Sequence, residues 1–259
     1  MMAIRNTGPP RGQSSDDRPL TARSVLASAL LGTDPPELPV ARLVVIGDLF
    51  GLSGNRVRVA LSRMAAAGEV TAIDGRYRLA GALLERQTRQ RLSRAPLLGS
   101  WTGSWTMAVI PAGRRLADER AATRAQLASA RLAERREGVW LRPDNLPVSL
   151  PAGVERYDVV PSGDGTGLAA SLWDLDGWAE RARLLHERLD ALAPALAAAD
   201  TEVLAPGFVL SASVLRHFQA DPLLPPALLP PDWPGDDLRR VYDSWDASYR
   251  ELLRAFHRA

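Results

Sequence analysis

Apolar residues recur at helical spacing over residues 53–66, and the pattern then switches to strand-like alternation. Val57, Ala60, Leu61 and Met64 fall at i, i+3, i+4 and i+7, which builds one apolar stripe of a helix. Ser53 stands before it as an N-cap, with a hydroxyl suited to accept from the free N–H groups of the first turn. Gly68 closes it at a C′ position, where positive φ is needed. The opposite face carries Asn55, Arg56, Arg58, Val59, Ser62 and Arg63, and no acid. Asp74-Gly75 then predicts a two-residue type I′ hairpin turn. Closing there pairs Ile73 with Arg76, Ala72 with Tyr77, Thr71 with Arg78 and Val70 with Leu79. Cross-strand partners share a face. Val70, Ala72, Tyr77 and Leu79 therefore point one way, and Arg76 and Arg78 point the other way, outward.

Helical spacing also runs over Leu20–Leu31 and Val40–Phe50, with Thr33–Pro39 read as a proline-rich loop and Gly51-Leu52 as a tight turn. The order helix, helix, turn, helix, hairpin is that of a winged helix-turn-helix. A helix of this size fits the DNA major groove, and hairpin arginines can meet phosphate or the minor groove. A basic outer face also serves simply to keep a helix solvated. The succession of elements decides for nucleic acid.

Beyond the hairpin, Gly81–Ala95 predicts a polar connecting helix and Pro96–Ser104 a linker. Trp105–Ile110, Gly138–Leu141, Glu155–Val160 and Leu168–Trp173 read as strands, with a long helix over Ala112–Arg136. That alternation suggests a small ferredoxin-like α+β domain. From Asp174 or Asp176 a helix runs to about Ala193, with Trp178, Ala182, Leu185, Leu189 and Leu192 on its inner side. Leu204–Gln219 is another helix, and Asp236–His257 a last one with Leu238, Val241, Trp245, Tyr249, Leu252 and Phe256 inward. Between them, DPLLPPALLPPDWPG at 221–235 holds six prolines in fifteen residues. Such a segment is too stiff for a flexible linker and reads as an ordered extended strap. The expected fold is α+β and multi-domain. It comprises a disordered tail (1–19), a winged helix (20–96), a ferredoxin-like middle domain (97–175) and a C-terminal helical domain (176–259).

The net charge of +2 hides an asymmetry. The first 100 residues carry 14 arginines against 8 acids, and residues 151–259 carry 10 against 17. A basic front and an acidic rear suggest that the front meets a polyanion. The chain has no cysteine, which excludes a disulfide framework or a cysteine-ligated zinc site. No apolar run approaches the roughly 20 residues of a membrane span. The first 19 residues lack a signal peptide's apolar centre, so a cytoplasmic protein without membrane partners is expected.

Other chemistry finds little footing. His186, His217 and His257 have no metal-ligand spacing. The glycine-rich run Ser162–Gly167 lies between two expected strands, lacks the helix and lysine of a phosphate loop, and reads as a hairpin loop. The seven tryptophans read mostly as core; Trp173, Trp178 and Trp233 are the first to test for a small-molecule site. A metal-dependent nuclease in the middle domain is the enzymatic alternative. Its first strand, however, ends Ile110-Pro111-Ala112-Gly113 without an acid, and Asp118-Glu119 falls within a helix. No catalytic residue, metal ligand or cofactor is assigned. A winged-helix interaction module without operator specificity is the third reading.

Three stretches resemble the PaaX-like family, the repressors of phenylacetic acid catabolism. They are VRVALSRMAAAGEVTAIDGRYRL at 57–79, WTGSWTMAVI with GVWLRPDNL at 101–110 and 138–146, and the proline-rich strap at 221–235. Thr102 departs from the acid usual in the second motif. The resemblance implies a homodimer that binds palindromic operator DNA and releases it on binding an aryl-CoA thioester, typically phenylacetyl-CoA, or another acyl-CoA. Effector residues are not assigned. The expected DNA-binding set is Ser53, Asn55, Arg56, Arg58, Val59, Ser62, Arg63, Arg76 and Arg78.

Overall fold

The computed structural model describes residues 21–111 and 117–256; the expected tail over 1–19 and His257 lie outside them. The chain is α+β and divides into two compact units, one up to Glu85 and one from Arg86 onward.

The first unit runs α1 (Ala22–Leu31), β1 (Glu37–Pro39), α2 (Val40–Asp48), α3 (Gly54–Ala66), β2 (Val70–Ile73) and β3 (Arg76–Leu79). Thr21 and Ser24 form a capping box at the start of α1, and the Ser53 hydroxyl accepts from the Arg56 amide at the start of α3. Leu26, Leu30, Leu43, Val57 and Leu61 have no exposed surface, so the stripes of the three helices meet in one core. Burying each such side chain contributes about 1.5–3 kcal/mol. The hairpin has the register read from the sequence, Val70 opposite Leu79 through Ile73 opposite Arg76, with Asp74 at φ 48° and Gly75 at φ 72°. The proline-rich loop expected over 33–39 instead contributes a third strand. β1 pairs antiparallel with β3, giving the order β1-β3-β2. Proline lacks a ladder donor but is tolerated on an edge strand, and that is where Pro39 sits.

Gly47 sets how α2 and α3 approach. It is buried, and a Cβ placed on it would lie 2.5 Å from Val57 Cγ2. Its carbonyl also accepts from the amides of Phe50 and Leu52, both at 3.0 Å. That closes the turn through Gly51, at φ 66°, into α3.

α4 (Gly81–Arg94) leads into the second unit. There follow β4 (Trp105–Val109), α5 (Ala117–Ser129), β5 (Ala133–Arg136), β6 (Val139–Pro143), β7 (Glu155–Val159), α6 (Gly165–Leu172), α7 (Leu175–Ala197), α8 (Leu204–Ala220) and α9 (Gly235–Phe256). The four strands form one antiparallel sheet in the order β5-β6-β4-β7. Two sequence expectations are corrected here. The helix expected to reach Arg136 stops at Ser129, where Arg131 takes φ 63° and the amides of Arg131 and Leu132 bond back to Ala128 and Leu127. That is a Schellman-like stop built without its usual glycine. The expected strand over Leu168–Trp173 is α6, capped by the Asp164 carboxylate, which accepts from Thr166 and Gly167 at 2.9 Å.

The expected boundary at 175/176 falls inside the second unit. Trp105 and Leu141 of the sheet share a core with Ala169, Leu175, Leu224 and Leu228, so the strap at 221–235 is packed as well as stiff. Its anchor is Asp221, which is 2% exposed. One carboxylate oxygen accepts from Arg239 at 2.6 Å, and the other from the Leu223 amide at 2.8 Å. Asn145 donates to the Leu223 carbonyl at 2.9 Å, which holds that residue at φ 53°. Arg239 also donates to Ser93 O near the end of α4, Arg131 to Gln219 O near the end of α8, and Arg142 to Ala130 O just past α5. Three buried or half-buried guanidiniums thus satisfy carbonyls at three helix C-termini, where the helix dipole favours cations. Burial, with help from Arg131 nearby, pushes Arg142 down to about 10.

Two outcomes are expected in urea unfolding of the full chain. Gly47→Ala should cost about 1–3 kcal/mol through the Val57 overlap. Asp221→Ala, which strands Arg239 in the interior, should cost about 3–5 kcal/mol, and pairing it with Arg239→Met should recover most of the loss.

Candidate nucleic-acid interface

On α3, Val57, Leu61 and Met64 face the core. This leaves Ser53, Asn55, Arg56, Arg58, Val59, Ser62 and Arg63 all exposed. Val59 is an aliphatic side chain 43% exposed in the midst of the polar face. The guanidiniums of Arg56, Arg58 and Arg63 have no hydrogen-bond or ion-pair partner among the described residues. Arg63 also lies in the last turn of α3, where a cation suits the helix dipole. Asn55, Arg56, Val59 and Arg63 line a groove of about 580 Å³, whose far side includes Arg23 and Glu69. Those two form an ion pair, with Arg23 Nε donating to Glu69 Oε2 at 2.9 Å. Its hydrogen bond to Glu69 holds Arg23 above the ordinary arginine range.

Arg76 and Arg78 stand on the outer face of β3, as the alternation requires, and their side chains are 46% and 56% exposed. They are not free. Glu37, on the strand missed from sequence, accepts from Arg76 Nε at one oxygen and from Arg78 Nε at 2.7 Å at the other. The hydrogen bonds from Arg76 and then Arg78 hold its carboxyl below the usual carboxylate range. Sequence alone had no means of finding Glu37, because its role depends on a strand pairing that Pro35, Pro36 and Pro39 disguise. Ile73, at the hairpin tip, is 61% exposed.

The other candidates resolve into packing. Trp178 stacks between His217 and Trp233, with ring centroids 4.2 Å and 4.4 Å away. Trp173 stacks on Trp105 at 6.4 Å. Burial lowers His217 to about 4, and His186 lies 3.2 Å from Asp237 and 3.5 Å from Asp190. The glycine-rich run does precede a helix, contrary to expectation. Its first amides, however, are taken by Asp164, where a phosphate would need them. Among the described residues, no three His, Asp or Glu side chains gather as a metal site would require. No described helix is long and apolar enough to cross a membrane.

Comparison with known proteins bears on both ends of the chain. Residues 21–83 match the model of the PaaX-like protein family, and residues 173–259 match that of the PaaX-like protein C-terminal domain. No curated protein matches the chain. A solved structure, uncharacterized protein Rv0674 from Mycobacterium tuberculosis, is similar with 37% sequence identity and a TM-score of 0.71, over 91% of this chain and 98% of that one. The first match takes in α3 and the hairpin, the second takes in the strap and its anchor, and the chain belongs to the PaaX-like family.

Proposed function

We propose that this protein is a DNA-binding transcriptional regulator, a repressor of aromatic-acid catabolic genes of the phenylacetate type. The carrying observation is the outward face of α3, three arginines without a partner among the described residues, with Asn55, Val59 and Ser62 among them. On this reading the first unit is a winged helix, with α3 the reading helix and β2–β3 the wing. The sheet order of the second unit, with β6 between β5 and β4 and β7 outermost beside β4, supports a ferredoxin-like middle part. The all-helical run after it supports a C-terminal helical part, joined to that sheet by the core the strap shares with it.

In the major groove, arginine takes guanine O6 and N7 in bidentate fashion, asparagine reads adenine, and an aliphatic side chain meets a thymine methyl. Arg56 and Arg63 are assigned to base edges, with Asn55, Val59 and Ser62 beside them. Ser53 caps the helix and presents its N-terminus. Arg58, nearer the flank, and Arg76 and Arg78 on the wing are assigned to phosphate, which positions rather than specifies. One reading helix per chain implies a homodimer on a two-fold operator. Family membership supports an aryl-CoA or other acyl-CoA thioester as effector. To act, that ligand must bind the DNA-incompetent state more tightly than the competent one.

The test is gel retention of operator duplex recovered from the genome with the protein. Arg56→Gln and Arg63→Gln should each cost about 1–3 kcal/mol and relax discrimination at one base pair, whereas Arg58→Gln should weaken all sequences evenly. Retention unchanged by Arg56→Glu with Arg63→Glu would refute the reading.

A further inference from the structure

Carboxylates in the first unit are set against some arginines and withheld from others. Arg56, Arg58 and Arg63 on α3 have no carboxylate partner among the described residues, while Arg76 and Arg78 on the wing share Glu37. The strand register explains how one acid spans both. Glu37 lies directly opposite Arg78, and Arg76 lies two residues back along the same face. The acid is 16% exposed, against 46% and 56% for the two guanidiniums above it. A phosphate approaching the wing therefore meets two cations whose Nε donors are already committed to a carboxylate close behind them.

We propose that Glu37 is a specificity-determining residue that restrains the wing: it cancels one of the two wing charges, holds down sequence-blind attraction to duplex DNA, and leaves discrimination to the α3 arginines. This rests on the DNA-binding reading given above. The physical basis is counterion release, in which each phosphate neutralised adds about −0.9 to the slope of log affinity against log salt. Such attraction is the same for every sequence, so an unrestrained wing lets non-operator DNA compete better. Placement on a short edge strand lets the acid be exchanged without touching the core beneath α3.

The test is a salt series of binding titrations with the full-length protein and a labelled short duplex of mixed sequence. The variants are Glu37→Gln, Glu37→Thr (a side chain suited to an edge strand), Arg76→Gln with Arg78→Gln, and the triple variant. Both Glu37 variants should bind several-fold more tightly at low salt, with a slope steeper by about one. The gain should vanish when Arg76 and Arg78 are also replaced. Unchanged or weaker binding by the Glu37 variants overturns the inference, as does a gain that survives loss of both arginines. If wild-type binding is insensitive to salt and to replacement of Arg56 and Arg63, the DNA-binding reading itself fails and the inference falls with it.

Discussion

The contact between Gly47 and Val57 is the constraint on which the outward chemistry of the first unit depends. With no Cβ at Gly47, Val57 of α3 closes directly on α2, and Leu61 and Met64 of the same stripe are buried with it. A helix seated on that stripe can only turn Asn55, Arg56, Arg58, Val59, Ser62 and Arg63 to solvent. Burial of three apolar residues thus orients six others. The turn that delivers α3 uses the same glycine's carbonyl, so packing and chain reversal are set at one point.

In the second unit the organising problem is where helices end. α4, α5 and α8 each terminate with carbonyls turned inward, beside a strap whose prolines supply no donors. Arg131, Arg142 and Arg239 answer this, because a guanidinium offers five donors in a fixed fork and several here serve two or three acceptors each. Asp221 neutralises Arg239 and fixes the turn at Leu223. The result is a polar junction that locks the strap, and it accounts for Arg239 on the inner face of α9, beside Tyr242, Trp245 and Tyr249. Asp246 on the same face serves a different pair, accepting from Arg94 at 2.8 Å and Arg250 at 2.9 Å.

The elements legible in the sequence were those governed by local rules. The α3 stripe, its Ser53 cap, its Gly68 stop and the Asp74-Gly75 hairpin follow from spacing and turn chemistry, and the structure places each within a residue or two. What escaped depends on partners distant in the chain. β1 is a strand only because β3 lies beside it, and its prolines argue locally for a loop. The stop at Arg131 uses a left-handed arginine where glycine or asparagine is the readable signal. The run Leu168–Trp173 is short and apolar, which suits strand or helix equally, and the Asp164 cap that decides it was absorbed into a glycine-rich loop. The polar outer face of α3 was therefore visible from sequence, but the pairing of Glu37 with Arg76 and Arg78 was not.

Hydrogen exchange of the full chain with and without duplex DNA tests the proposed DNA-binding face most directly. Duplex is expected to slow exchange in residues 53–66 and in the hairpin at 70–79. Protection confined to residues 86–256, with α3 exchanging as in the free protein, would contradict it.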